Sequence, residues 1–408
     1  MAKADIPKEI FRWQTVLSPS RAWFRLLNVQ FLTISACSLF GDSGPLLGAI
    51  RWDAWHKPRT NVEHGILGGA SAAVMASLGP KAYQYRLPFF AQITGENTAR
   101  VDGYTPEIMG REIDYAKAGG LGYWAFLLYE EGTGMSEGLE TYLLHPRRAE
   151  MPFCVIVPVS LFRSPKEFAE RMQRLVGYAR DPAYLRQADG RLPIFLYHLK
   201  QSHVDTWGGP DRTRRLFDLL RGAVRRATGV DINLVVLERS AKEGAKLAKQ
   251  IGANGISSYA TPGGVQTASP FAALDACAEK FWNQCLATEC DVVPLCMAGW
   301  DRRPRIEHPV PWNENQKPGE GMERHYAMPT PEELAAHLRK GFDFVATNRA
   351  RCPGQLVLTY AWNEHDEGGF LCPTLRSDGG ADTSRLEAIS KMVHSYRMAS
   401  SNHGLPVR

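Results

Sequence analysis

Eight short apolar runs recur along this chain, each followed by a stretch of helical periodicity, and no other feature restricts the fold so tightly. The runs are LLGAIRW (46–52), LGYWAFLLY (121–129), PFCVIVPV (152–159), PIFLYHL (193–199), INLVVLE (232–238), ANGISSYA (253–260), DVVPLCMAG (291–299) and LVLTYAW (356–362). Most lack period-two alternation, as expected of strands covered by helices on one face and by a barrel interior on the other. The segments between them open with helix-start chemistry. Thr105-Pro106-Glu107 puts proline in a first turn, and Gly119-Gly120 supplies the stop. Ser164 and Glu167 have the spacing of a capping box, and Ser240, Ser269, Thr330-Pro331-Glu332 and Asp382-Thr383 mark further starts. The pattern predicts an α/β fold, a (β/α)8 TIM barrel in a single domain. A doubly wound open sheet is the alternative, but no Gly-x-Gly-x-x-Gly follows the first strand.

Two connections are too long for plain turns, residues 54–104 after the first strand and 300–328 after the seventh. Long loops at that face build a site or cover it. The expected organisation is a catalytic barrel over 48–408 behind an N-terminal extension, 1–47. Within the extension, Arg21 and Arg25 precede LLNVQFLTISACSLF (26–40), too short to span a membrane. It reads equally as a signal-peptide core, with Ile34-Ser35-Ala36-Cys37 similar to a lipobox, or as an element packed on the domain. Export, periplasmic or lipid-anchored, and a cytoplasmic location stand level, and membrane contact is expected only through an anchor at Cys37.

Composition narrows the function classes. A hydrophobic fraction of 44% and a charged fraction of 22% fit a globular chain rather than a disordered one. A net charge of +5 is weak, and the basic run Arg214 to Arg226 holds a single aromatic, Phe217, rather than aromatics interleaved with its arginines. It reads as the solvated face of an amphipathic helix, so no nucleic-acid partner is expected. The eight cysteines contain no Cys-x-x-Cys, and Cys154 and Cys296 lie in apolar runs as small hydrophobes. No phosphate-binding loop and no Gly-x-Ser-x-Gly elbow are present. Nothing indicates an oligomeric state.

On a barrel, residues at the C-terminal strand ends converge. They are Trp52, Asp53 and Trp55 from the first strand, Tyr129, Glu130 and Glu131 from the second, and His198 from the fourth. Glu238, Tyr259, Trp300 and Asp301 follow from the fifth, sixth and seventh. Such a mouth is rich in aromatics and carboxylates, which is what sugars ask for: rings to stack on C–H faces, carboxylates for hydroxyls and acid/base work. His198 and Tyr259 serve equally well as packing residues.

The eighth run ends in Trp362-Asn363-Glu364-His365-Asp366-Glu367-Gly368-Gly369. Burying such a row of ionisable groups is costly, so a cleft or water should receive them. Glu364 and Glu367, three apart, fall on one side of a turn, roughly 5–6 Å between Cβ atoms. Two carboxylates so close, one shielded by Trp362, should have their pKa values driven apart, giving one acid and one base. Glu364, His365 and Asp366 are also metal-ligand types, but adjacent residues point in different directions and no His-x-x-x-His spacing accompanies them. No metal and no cofactor are therefore expected.

These residues resemble the glycoside hydrolase family 99-like barrels, the group around the endo-α-1,2-mannosidases. Asn363-Glu364-His365-Asp366-Glu367-Gly368 is similar to that family's Asn-Glu-Trp-His-Glu-Gly, with its glutamates three apart. Gly48 to Asp53, Arg111 to Gly119 running into Tyr123 to Phe126, and Thr330-Pro331-Glu332 add weaker likenesses. The resemblance implies a retaining glycoside hydrolase that passes through a 1,2-anhydro sugar. The residue matching Glu364 would draw the proton from the 2-hydroxyl, and the one matching Glu367 would protonate the leaving oxygen. His365-Asp366 replaces the family's Trp-His, which puts a third carboxylate inside the pair. The expected substrate is an oligo- or polysaccharide, met by Trp52, Asp53, Trp55, Tyr129, His198, Tyr259, Trp300, Asp301, Asn363 and Asp366. The alternatives are a polysaccharide-related glycosyltransferase, for which no Asp-x-Asp motif is present, and a glycan-binding barrel without turnover.

Overall fold

Each of the eight apolar runs forms a parallel strand in the computed structural model, which describes residues 44–402 apart from 61, 64, 65 and 160–163. The strands are β1 (Leu46–Arg51), β2 (Tyr123–Leu127), β3 (Phe153–Pro158), β4 (Leu192–Tyr197), β5 (Ile232–Leu237), β6 (Gly255–Ser257), β7 (Asp291–Val292 with Leu295–Met297) and β8 (Leu356–Tyr360). Around them run α1 (Gly69–Leu78), α2 (Pro106–Ala118), α3 (Glu137–Leu144), α4 (Pro165–Ala179), α5 (Gln201–Thr206), α6 (Pro210–Thr228), α7 (Ala241–Ile251), α8 (Phe271–Leu286), α9 (Arg303–Glu307), α10 (Pro331–Thr347) and α11 (Ser384–Asn402). Residues 1–47 were expected to form an extension with a lipobox-like Cys37; all but its last few residues, Cys37 included, lie outside the described residues.

Every strand pairs with its sequence neighbours, and β1 pairs with β8 in the register Leu46↔Leu356. The circle closes through β7. Its first half pairs with β6 and its second with β8. Pro294 divides the halves because it has no N–H to give to a ladder. Helical side chains take up the backbone groups stranded there. Trp282 Nε1 donates to the Leu295 carbonyl at 2.8 Å, and the Met297 N–H donates to His337 Nε2 at 2.9 Å. His337 is itself held by Asp275, 2.6 Å from its Nδ1. A split strand thus keeps its polar atoms satisfied inside an apolar shell.

The helix starts follow from the caps. Thr105, Ser164 and Ser240 accept from the N–H groups of Ile108, Glu167 and Glu243, and Thr330 forms a reciprocal box with Glu333. The start expected at Ser269 moves by one residue: Pro270 is the cap, and the Ser269 hydroxyl turns back to the Thr267 carbonyl at 3.0 Å. In α6, Leu216, Phe217, Leu220 and Val224 face inward, which leaves the arginine-rich side outside.

Both long connections sit at the C-terminal end of the barrel. Residues 54–104 carry α1 and two short hairpins, and residues 300–328 carry α9. They are laced to the loop after β8. Arg86 is ion-paired with Asp301 and donates to its carbonyl at 2.8 Å, and the Arg86 carbonyl lies 2.6 Å from His365 Nδ1. Among the described residues the cysteines are unpaired, and no helix is long and apolar enough to cross a membrane.

Candidate active site

The loop after β8 is a tight hairpin. Asn363–Glu364 pairs antiparallel with Gly369–Phe370, and a single 3-10 turn, His365–Glu367, fills the bend. In such a turn residues three apart eclipse, so the glutamates project to the same side. Gly368 ends the turn at φ 79°, a left-handed conformation that glycine takes freely. It packs against Gly299, where a Cβ would stand 2.2 Å from the Gly368 carbonyl oxygen. The two glycines let the β7 and β8 loops touch backbone to backbone, and Asp301 N–H donates to the Glu367 carbonyl at 2.7 Å.

One guanidinium gathers the carboxylates. Arg305, on α9, grips Asp366 with a two-pronged contact, Nε to Oδ2 at 2.6 Å and Nη2 to Oδ1 at 3.0 Å. Its Nη1 donates to Glu367 Oε1 at 2.5 Å, and its Nη2 reaches Glu364 Oε2 at 3.3 Å. The guanidinium lies 4.9 Å from the Trp52 ring centre and 5.5 Å from that of Trp312. The row of charges expected to meet a cleft or water is instead buried: His365 and Asp366 are fully covered and Glu364 is 4% exposed. Arg305 makes that burial tolerable by supplying the counter-charge.

The two glutamates are not equivalent. Glu367 receives Arg305, Arg302 Nε at 3.1 Å and the Tyr360 hydroxyl. Burial alone would raise its pKa, but Arg305, Arg302, the Tyr360 hydroxyl and Arg239 outweigh it and hold the carboxyl below its ordinary range. Glu364 has only the distant prong of Arg305 and the Tyr259 hydroxyl at 3.0 Å. Burial, and after it the charge of Glu367, raise Glu364 well above the usual carboxylate range. Glu364 therefore holds a proton more tightly than Glu367 does. Burial also raises Asp366, against the pull of Arg305. Trp362, expected to shield one glutamate, is committed elsewhere: it donates to Glu112 at 2.6 Å and packs on Trp124 at 5.4 Å.

Beneath the hairpin lies a second buried network. Asn363 Oδ1 accepts from the Trp52 N–H at 2.8 Å and its Nδ2 donates to Asp53 at 3.0 Å. Arg51 joins Asp53 to Glu112 at 3.0 and 3.1 Å. Trp55 Nε1 donates to the Asn363 carbonyl at 3.1 Å. Asp53, Trp55, Asn363 and Asp366 are thus engaged in holding the loop. Asp301 is likewise buried, between Arg86 and Arg303. Glu130 and Glu131 pair with Arg171 and Arg174 of α4, and Glu238 caps the Arg239 N–H at 2.7 Å.

The remaining aromatic residues border the pair. Tyr259 touches Glu364 and stacks on Tyr197 at 4.6 Å, while Trp300 packs on Tyr360 at 5.6 Å. Trp52 Nε1 donates to the Tyr129 hydroxyl at 2.8 Å, and the Trp312 ring meets the Trp52 ring edge-on at 5.5 Å. His198 is exposed, held at φ 58° with its ring over Tyr197 at 3.8 Å. His365 diverges from its two neighbours: it faces the Arg86 carbonyl, whereas the carboxylates of Glu364 and Asp366 both turn to Arg305.

Sequence reasoning passed over Arg305, Arg302, Tyr197 and Tyr360. A signal for the arginines was there: three carboxylates within four residues require a cation, and the loop after β7 opens with Arg302, Arg303 and Arg305.

Comparison with known proteins places the fold. No family model matches the chain, and no curated protein matches it in sequence. Among solved structures, the GH99 endo-alpha-mannosidase from Bacteroides thetaiotaomicron superposes with a TM-score of 0.53 at 16% identity, covering 87% of this chain and 98% of that one. The same enzyme in complex with BIS-TRIS-Propane gives 0.52 over the same shares. A glycoside hydrolase-like protein gives 0.55 at 11% identity, covering 86% of this chain and 94% of that one. The likeness is one of fold: this chain is a (β/α)8 barrel similar in fold to these structures.

Proposed function

We propose that this chain is a glycoside hydrolase acting on an oligo- or polysaccharide with retention of configuration, through Glu364 and Glu367. The observation that carries the reading is the pair itself: two glutamates on one turn at the C-terminal rim of a barrel, sharing one guanidinium at unequal distances, which pushes their proton affinities apart. That is the asymmetry acid/base cleavage of a glycosidic bond uses. The name of the B. thetaiotaomicron neighbour, an endo-alpha-mannosidase, makes α-linked mannosides the first substrates to try.

The closer grip of Arg305 on Glu367 and the weaker one on Glu364 favour a division of labour opposite to the one the family resemblance implies. Glu367, ionised, takes the proton of the sugar 2-hydroxyl as O2 attacks C1. Glu364, protonated, gives its proton to the glycosidic oxygen as the C1–O bond breaks, leaving a 1,2-anhydro sugar. Water then attacks C1 and yields its proton to Glu364, while O2 recovers its proton from Glu367. Both glutamates return to their starting states and the two inversions give net retention. Trp52, Tyr129, His198, Tyr259 and Trp300 border the sugar, while Asp53, Trp55, Asp301, Asn363 and Asp366 act through the loops they hold.

The test is a cleavage screen over a glycan library that includes α-mannosides, with the anomer of the first product read by proton NMR. Glu364→Gln and Glu367→Gln are expected to abolish cleavage by orders of magnitude while glycan binding persists. Undiminished hydrolysis in either variant removes that residue from the mechanism. Binding without any turnover in the unaltered protein would leave the glycan-binding barrel as the correct reading.

A further inference from the structure

Asp366 adds a carboxylate where the family motif has none, yet it does not face a substrate. Both of its oxygens are spent on Arg305, in the planar two-pronged geometry that fixes a guanidinium most firmly. Fixing the guanidinium there decides where its other nitrogens go. Nη1 falls 2.5 Å from Glu367 while Nη2 stays 3.3 Å from Glu364. The rings of Trp52 and Trp312, 4.9 and 5.5 Å from the guanidinium carbon, border it further. The arginine is therefore set off-centre between the glutamates, and the carboxylate that sets it is Asp366.

We propose that Arg305, anchored by Asp366, is the positioning residue that decides which glutamate serves as the acid and which as the base. The inference rests on the hydrolase reading above and extends it to residues on another loop. Other groups act on the pair and must be held constant. Glu367 also faces Arg302, Tyr360 and Arg239, and Glu364 faces Tyr259 and both neighbouring carboxylates. Tyr129 and Tyr197 lie within the field of Glu364 as well. None of these links the two glutamates as Arg305 does.

The experiment uses the full chain labelled with carboxyl-13C glutamate and reads protonated glutamate directly in the infrared, a signal that needs no substrate. The unaltered protein is expected to show a protonated-glutamate signal at neutral pH that is absent in Glu364→Gln; Glu112, also buried and raised, is the same in every variant and is subtracted with it. In Arg305→Gln a second protonated population, from Glu367, is expected at pH values where the unaltered protein has none. Its titration should lie about one to three pH units higher. Arg305→Lys, which keeps the charge without the fork, should fall between. Arg305→Gln strands Asp366, so the double variant Arg305→Gln/Asp366→Asn, which removes both charges, guards against misfolding. With a cleavable glycan in hand, the acid limb of the kcat/KM profile should move upward by the same interval. A structural role alone would lower kcat at every pH and leave the titration and the limb in place, and that result overturns the proposal. Should no glycan be cleaved, the hydrolase reading fails while the infrared titration still answers for Arg305.

Discussion

His365 sits between the two glutamates, and its surroundings make the fold of the loop sensitive to acid. The ring is fully buried, stacked on Phe370 at 4.6 Å and edge-on to Trp55 at 5.1 Å. Nδ1 lies 2.6 Å from the Arg86 carbonyl, so the proton of the neutral ring belongs on Nδ1. Nε2 is buried with no partner. Acid would place a cation there with nothing to receive its N–H. Burial, reinforced by Arg385 and Arg86 and only partly opposed by the carbonyl, lowers the pKa from 6.5 to about 3. The unfolded chain takes up this proton near its ordinary value and the folded chain only near 3. Stability from this group is whole above pH 6.5 and falls as pH drops toward 3, by about 1.4 kcal/mol per unit. Between pH 6.5 and 4.5, with the unfolded ring half protonated at the start, that is roughly 2 kcal/mol. The assay is equilibrium urea unfolding at both pH values for the unaltered protein and for His365→Phe, which keeps a ring against Phe370 but cannot titrate. The variant should be weaker at neutral pH by about 1–3 kcal/mol, because the Arg86 carbonyl loses its donor. It should then lose roughly 2 kcal/mol less than the unaltered protein on acidification. Glu364 acts in the opposite sense, since a raised carboxyl favours the folded state as pH falls, but it is present in both proteins and cancels. Parallel acid losses in the two proteins would refute the reasoning.

The neighbouring contacts give two further expectations. Asn363→Ala strips the Trp52 N–H and the Asp53 carboxylate of partners they meet at 2.8 and 3.0 Å. It should destabilise the fold by roughly 2–5 kcal/mol in urea unfolding; a loss under about 1 kcal/mol would mean that water replaces the amide. Gly369→Ala would set a Cβ 2.3 Å from the Tyr360 ring, which must shift and draw its hydroxyl away from Glu367. A loss of about 1–3 kcal/mol is expected, with a fall in kcat at temperatures where the variant is still folded; full activity there would show the tyrosine to be dispensable to Glu367.

The barrel was readable because its signals are local and repeated. An apolar run, a cap such as Thr105 or Thr330 and a glycine stop each act within a few residues, and eight repetitions leave little choice of topology. β7 shows the limit of that legibility: DVVPLCMAG reads as one strand, but Pro294 divides it, and only His337 and Trp282, helical residues, show how the break is satisfied. The site was legible in the same partial way. Glu364 and Glu367 stand out because they are three apart on one turn, a relation the sequence writes directly. What decides their chemistry is Arg305, about sixty residues upstream, and nothing local ties it to them. A row of carboxylates states only that charge must be answered, not from where. Arg305 answers most of it: Glu364 and Asp366 are buried beside loops laced by Arg86, Asp301 and His365, and Glu367 keeps only partial exposure. The same reasoning turns Asp366 from an apparent third acid into an anchor. A fully buried carboxylate whose two oxygens both hold one guanidinium is not open to a sugar, whereas that guanidinium also reaches the two glutamates. The departure from the family motif is therefore better understood as half of an ion pair whose other half lies on α9, and the two positions should be altered together.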